Sequence, residues 1–140
     1  MSQTIHVAVG IIFNAAEEVL IAFRDPSKHQ GALWEFPGGK LESSENVQAA
    51  LRRELSEELG LSLGTDDSSI KSLLKIEHDY GDKRVLLDVW EVLDFEGEAH
   101  GREGQGIRWV AIKDLSEYQF PAANQPIVEL LRQRLPTAHP

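Results

Sequence analysis

The chain has 140 residues, the length of one domain that can fold around its own core, and its zero cysteines exclude disulfides and thiolate metal sites. No run approaches the roughly 18 apolar residues of a membrane span, and the first residues lack a signal-peptide pattern, so we expect a cytoplasmic protein without a membrane partner. The net charge of −9 argues against binding to a nucleic acid polymer, because that affinity comes from Lys and Arg neutralising phosphates.

The N-terminal part predicts two strands. Residues 5–13 and 19–23 are apolar and β-branched, and a short polar turn separates them. A polar loop then begins at Arg24 and contains His29. Arg24 could reach a phosphate or be a solvated arginine, and His29 could donate a proton or simply be exposed beside a lysine.

A glycine-containing segment follows this loop. Trp34 and Phe36 precede Gly38 and Gly39 and either wall a base pocket or pack in the core. The two glycines come before a polar stretch that leads to the strongest helix signal in the chain.

That helix is predicted over residues 47–59. Asn46 is a suitable N-cap, the segment contains no Gly or Pro, and Gly60 stands where a C′ residue belongs.

Three carboxylates fall on the apolar side of this helix. At about 100° per residue, Glu54, Glu57 and Glu58 lie on the same side as Leu51 and Leu55. Like charges at this spacing repel each other, and a buried unpaired carboxylate is costly.

A cation would relieve that repulsion. Arg53 is expected on the far side of the helix and to pair with at most one of the three, so a hard divalent cation with oxygen ligands, Mg²⁺ or Mn²⁺, fits best. The alternative is a charged helix whose glutamates lie in water.

The second half of the chain predicts more strands and one further helix. Gly81 and Asp82 separate two strands in a hairpin, residues 96–106 form a glycine-rich loop, and breakers precede the terminal helix. Because strands precede and follow one strong helix and a hairpin lies among them, we expect a mixed sheet in a single domain. The predicted elements are strands at 70–80, 85–95 and 107–112 and a helix around 127–135.

The segment GGKLESSENVQAALRRELSEELGL, residues 38–61, resembles the Nudix box. Counting from Gly39, Glu45 follows after five residues, and RELSEELGL follows after seven more. VGIIFN, EFPGGK, GREGQ and FPAAN extend the resemblance over most of the chain, toward the MutT type. The resemblance implies a Nudix α/β/α sandwich with a mixed sheet, over residues 1–140.

The resemblance also implies roles for the acidic residues. Glu57 and Glu58 would bind metal with the carbonyl of Gly38, Glu54 would join the metal site or act as the base, and Glu103 would add a distal carboxylate. The implied cofactor is Mg²⁺, for which Mn²⁺ could substitute. Arg53 would orient a glutamate.

For the substrate, the resemblance implies contacts from the loops. Arg24 would contact phosphate, and Asn124 would hydrogen-bond an oxidised guanine, although Asn124 could instead only cap the last helix because Pro126 follows it closely. The further expected substrate-binding residues are Phe36, Gly38, Gly39 and Lys40.

Three functions compete at this point. The first is a Mg²⁺-dependent hydrolase that converts 8-oxo-dGTP to the monophosphate and pyrophosphate and so keeps a mutagenic nucleotide out of DNA. The second is a Nudix hydrolase of another substrate, such as ADP-ribose, a nucleotide sugar or a different NTP. The third is a nucleotide-sensing module without catalysis, which the complete set of box carboxylates disfavours. In each case we expect a monomer with a small-molecule nucleotide partner.

Overall fold

The structure is a computed structural model that describes residues 4–23, 33–64, 67–101 and 106–133. Within these residues the chain forms seven strands, two α-helices and three short 3-10 turns. The strands and helices are β1 Thr4–Ile12, β2 Glu18–Phe23, β3 Trp34–Glu35, β4 Gly38–Lys40, α1 Val47–Leu59, β5 Ile70–Asp79, β6 Arg84–Val92, β7 Ile107–Ala111 and α2 Gln125–Gln133.

The predicted mixed sheet is confirmed. Four strands lie in the order β4-β1-β6-β5, in which β1 is antiparallel to β4 and parallel to β6, and β5 is antiparallel to β6. A second, antiparallel sheet has the order β3-β2-β7. Thus the strands predicted at 5–13 and 19–23 belong to different sheets.

The two faces of the sheets carry separate apolar clusters. Along β1, Ala8 and Ile12 face the cluster that includes α1, whereas Val9 and Ile11 face the cluster that includes α2. Because β1 is covered on both faces, its sequence is a nearly continuous apolar run. The result is the expected α/β/α sandwich.

The helix α1 has the predicted bounds and caps. The Asn46 side chain accepts a hydrogen bond from the Ala49 amide at 2.8 Å, and Gly60 is left-handed with φ 73°. The Gly60 amide donates to carbonyls of the last turn and ends the helix. The buried face consists of Ala50, Leu51, Leu55 and Leu59.

Other boundaries differ from the prediction. The hairpin strands end at Asp79 and begin again at Arg84, because the Asp79 carboxylate accepts from the Gly81 amide at 2.8 Å and so forms the turn. Strand β7 ends at Ala111, and a 3-10 turn follows. Strands β3 and β4 are too short for a sequence pattern to reveal. Among the described residues, no helix is long and apolar enough to cross a membrane.

Candidate active site

The glycine-containing strand β4 lies against α1. Gly39 pairs with Ala8 of β1, and its missing side chain leaves room for the Glu54 carboxylate. A Cβ at Gly39 would overlap that carboxylate. The glycine therefore lets a helix glutamate rest directly on the β4 backbone.

Arg53 connects this helix to the preceding loop. Its Nε donates to Oε2 of Glu45 at 2.7 Å and its Nη2 donates to Oε1 at 3.0 Å. Its Nη1 donates to Glu54 at 2.9 Å, and Nη2 also donates to the Lys40 carbonyl at 3.1 Å. One guanidinium thus holds α1, β4 and the Glu45 loop together.

Two predictions about this helix are wrong. Arg53 is not turned away from the acids, and it reaches two of the three, because Nη1 also lies 3.4 Å from Oε2 of Glu57. The long arginine side chain can extend around the helix, which a wheel of Cα positions does not show. Glu57 is not placed inward either, since 56% of its side chain is exposed, whereas Glu54 and Glu58 are half-buried.

The ion pair changes the acidity of both partners. The side-chain hydrogen bond from Arg53, followed by the backbone hydrogen bond from Glu42, lowers the pKa of Glu45 from 4.5 to about 2. Conversely, the hydrogen bond to Glu45 raises the pKa of Arg53 above its usual value, and Glu54 adds to this effect. Both groups are therefore charged throughout the neutral range.

The donor chemistry of α1 fits a hard divalent cation. Glu54, Glu57 and Glu58 offer only oxygen, the ligand atom that Mg²⁺ prefers, and Gly39 leaves the space beside Glu54 free of a Cβ. In the part of the chain that the structure describes, no three acidic side chains are already close enough to hold a metal. Glu57 is largely exposed and so has room to turn toward the others.

A pocket of about 290 Å³ lies on the α2 side of β4. Val7 and Val9 of β1 contribute apolar surface, and Asn124 lies at the pocket with its side chain half-buried. The remaining lining residues are Glu35, Phe36, Gly38, Gly39, Lys40, Tyr80, Lys83, Val85, Leu87, Pro121 and Ala123. Four predicted substrate-binding residues and Asn124 therefore line a single cavity.

Asn124 directly precedes α2, but its side chain makes no capping hydrogen bond to a described residue. It ends the 3-10 turn Ala122–Asn124, which runs directly into α2, and the extended residue before that turn is Pro121. Among the described residues, no hydrogen bond to the Asn124 carboxamide is found. The geometry leaves this carboxamide available to a molecule in the pocket.

The two aromatic residues before the glycines have different surroundings. Phe36 is 4% exposed and stacks on Phe120 with ring centroids 5.0 Å apart, and it also lines the pocket. Trp34 is absent from the pocket lining and packs against Phe23 and Tyr118. Three predicted residues, Arg24, His29 and Glu103, lie outside the described residues.

Comparison with known proteins bears on this arrangement. The NUDIX domain family model matches residues 8–130 of the chain. The chain belongs to the Nudix hydrolase family. It is 36% identical over 131 residues to the 8-oxo-dGTP diphosphatase of Escherichia coli K12, which covers 94% of this chain and 98% of that protein. It is also 31% identical to the CTP pyrophosphohydrolase of the same organism, over 86% of this chain and 87% of that protein.

A solved structure agrees in fold. The chain superposes on a MutT structure, from work on Aliivibrio salmonicida and Vibrio cholerae, with a TM-score of 0.82 and 38% identity. The match covers 95% of this chain and all of that one. In this Nudix hydrolase, Glu45 and Tyr80 also contribute to the site, although the sequence predicted no role for either residue. The box spacing already singled out Glu45, but Tyr80 reaches the pocket through strand pairing alone.

Proposed function

We propose that this Nudix hydrolase converts 8-oxo-dGTP to 8-oxo-dGMP and pyrophosphate. The observation that carries the proposal is the position of Asn124 at an apolar pocket that adjoins β4, with the glutamate-bearing helix α1 on the other side of that strand. The names of the relatives support the same substrate. We also propose that the protein acts in the cytoplasm, because a substrate of this kind belongs to the nucleotide pool.

The pocket has the character of a base site. Ligand pockets in proteins are mostly apolar, with a few polar groups that fix orientation. Here valine and leucine side chains supply the apolar surface, and the Asn124 carboxamide offers one donor group and one acceptor. An oxidised guanine presents both kinds of partner along one edge, so a single carboxamide can read it.

The triphosphate would extend from this pocket across β4 toward α1. We propose that Glu54, Glu57, Glu58 and the Gly38 carbonyl hold Mg²⁺, for which Mn²⁺ can substitute. When bound, the divalent ion supplies charge neutralisation at the phosphates and lowers the barrier to attack by water. Lys40, exposed at the pocket rim, would contact phosphate.

The residues of the chain have further parts in this proposal. Arg53 fixes the Glu54 carboxylate at 2.9 Å, so that Glu54 is oriented before substrate arrives. One of the helix glutamates would take the proton of the attacking water. Arg24 would contact phosphate and Glu103 would add a distal carboxylate. Because the pocket and α1 belong to one chain, a monomer suffices.

The test compares hydrolysis of 8-oxo-dGTP, dGTP, CTP and ADP-ribose by the wild type, with analysis of the products. We expect a strong preference for 8-oxo-dGTP and release of pyrophosphate. Asn124→Ala should reduce the preference over dGTP by about tenfold to a hundredfold, equivalent to roughly 1–3 kcal/mol for an unpaired base edge. Gln125→Ala is the matched control, because the Gln125 side chain hydrogen-bonds the Phe120 carbonyl at 3.3 Å and does not line the pocket.

A second candidate is hydrolysis of another nucleotide. The 31% identity to a CTP pyrophosphohydrolase favours a pyrimidine triphosphate among these alternatives. A wild type that cleaves CTP, ADP-ribose or a nucleotide sugar best would establish that candidate. A protein that binds nucleotides with Mg²⁺ present but turns over none of them would instead be a sensing module.

A further inference from the structure

One side of the pocket comes from the end of the β5–β6 hairpin. Tyr80 and Lys83 line the pocket there, and both are distant in the sequence from the glycine segment of the Nudix box. The backbone at this end is held in place, because the Tyr80 amide donates to the Lys83 carbonyl at 2.8 Å and the Asp79 carboxylate accepts from the Gly81 amide. These hydrogen bonds give the end of the hairpin a defined backbone conformation.

The side chain of Tyr80 contacts a second ring. The ring centroids of His78 and Tyr80 lie 4.4 Å apart, with 61° between their planes. His78 belongs to β5 and Tyr80 directly follows the end of this strand, and the ring contact places the imidazole beside the phenol. His78 itself pairs with Val85, which lines the pocket, but His78 is not a lining residue.

The chain turns immediately after Tyr80. Gly81 has a φ of 94°, and a Cβ placed there would meet no atom within 4 Å. On the strand side, the imidazole of His78 contacts the Tyr80 ring. Edge-to-face ring pairs of this kind contribute about 0.5–1.5 kcal/mol beyond their buried area.

We propose that His78 is a positioning residue that sets the orientation of Tyr80, and that Tyr80 forms a wall against which the substrate base packs. The proposal rests on the function proposed above and deepens it, since the wall contributes to base selection. A purine, with two fused rings, reaches further across the pocket than a pyrimidine. Loss of the wall should therefore weaken purine binding more than pyrimidine binding.

Loss of His78 should leave the chemistry unaffected, because Lys40 and the three helix glutamates, the described residues proposed to act at the phosphates, lie at β4 and α1. We expect His78→Ala to raise the KM for 8-oxo-dGTP, and the Kd for the product 8-oxo-dGMP in calorimetry, by about threefold to tenfold. The kcat should stay at the wild-type value. His78→Phe, which keeps a ring at this position, should restore both constants.

Two further variants make the test specific. Tyr80→Ala should weaken binding by itself, and the double variant His78→Ala with Tyr80→Ala should bind no worse than Tyr80→Ala, because His78 acts only through that ring. Glu77→Ala is the matched control, since Glu77 is the preceding residue of β5 and is exposed on the opposite face. It should behave as the wild type.

Several results would overturn the proposal. These are additive losses in the double variant, a lower kcat with unchanged KM, or His78→Phe as weak as His78→Ala. The calorimetric Kd separates this proposal from the proposed function. A wild type that binds 8-oxo-dGMP but does not hydrolyse 8-oxo-dGTP would refute the proposed function, while the variants would still decide the role of His78.

Discussion

The guanidinium of Arg53 grips the carboxylate of Glu45 with two parallel hydrogen bonds, 2.7 Å from Nε and 3.0 Å from Nη2. This geometry needs the planar fork of arginine and cannot be reproduced by an ammonium group. The third nitrogen, Nη1, is thereby left directed at Glu54. The position of a proposed metal ligand therefore depends on a residue eight positions before the arginine in the sequence.

Arg53→Lys tests whether activity depends on the positive charge of Arg53 or on the geometry of its hydrogen bonds. Lysine keeps the positive charge but loses the two-point contact with Glu45, so Glu54 is no longer held in one place. We expect kcat for 8-oxo-dGTP to fall by about tenfold to a hundredfold. The neighbouring Arg52→Lys is the control, because Arg52 Nε instead donates to the Gly64 carbonyl at 2.9 Å. Equal activity in the two variants would contradict the role given to Arg53.

The stability of the protein at acidic pH should depend on the ionisation of Glu45. Its folded-state pKa is lowered from 4.5 to about 2, so its contribution to stability is complete above the unfolded-state value and is lost as pH falls toward the folded-state value. Thermal unfolding should show a stability difference between wild type and Glu45→Gln that is constant near neutrality. The difference should shrink between about pH 5 and pH 2. A difference that does not change over this interval would argue against the ion pair.

A side chain at Gly39 should disturb the site although every acidic residue is kept. In Gly39→Ala the new Cβ overlaps the Glu54 carboxylate, which must then move off the β4 backbone. We expect the activity to fall and stability to decrease by roughly 1–3 kcal/mol, as overpacking commonly does. Gly106→Ala is the control, because a Cβ there makes only an ordinary contact of 3.8 Å with Phe23. Full activity in Gly39→Ala would show that the position of Glu54 is unimportant.

Neutralising the helix acids should abolish turnover and preserve the fold. Glu54→Gln and Glu57→Gln each remove a charge but no core volume, since neither residue belongs to the buried face of α1. We expect kcat to fall by roughly a hundredfold or more with a nearly unchanged melting temperature. Wild-type rates in both variants at saturating Mg²⁺ would refute the assignment of these residues.

Magnesium should stabilise the native state. An ion that binds only the folded chain adds about 2.7 kcal/mol at a hundred times its Kd, which is roughly 5 to 10 °C for a domain of this size. The increase should be much smaller in Glu57→Gln. Differential scanning fluorimetry with and without millimolar Mg²⁺ measures both values, and a melting temperature that ignores the ion would contradict the proposed site.

The features that the sequence predicted well depend on neighbours in the chain. Asn46 and Gly60 bracket α1 because a cap acts on the adjacent turn, so the bounds 47–59 were correct. The spacing of the Nudix box likewise places Glu54 next to Gly39, because only a short loop and part of α1 separate the two residues in the chain. Arg53 was misplaced because its reach depends on a side-chain conformation that no periodicity encodes.

What the sequence did not predict depends on distant pairing. The pocket forms because β1 pairs in parallel with β6, and because the turn at Asn124 comes to the same end. Asp88 is another example: it is 2% exposed within an apolar strand and accepts from Trp90 at 2.8 Å and pairs with His6 at 2.9 Å. His6 is 82 residues away from Asp88, so this pairing gives no signal in a local window of the sequence.

Within the described residues, strand β4 lies at the end of the four-stranded sheet, and a strand at a sheet edge can recruit a strand from another copy of the chain. The Lys40 carbonyl on β4 is already occupied by Arg53 at 3.1 Å. The same guanidinium that arranges the glutamates therefore occupies one of the acceptors through which another strand would pair. Substitution of Arg53 would leave the Lys40 carbonyl free to pair with another strand. We therefore expect Arg53 variants to aggregate more readily than Glu54 variants.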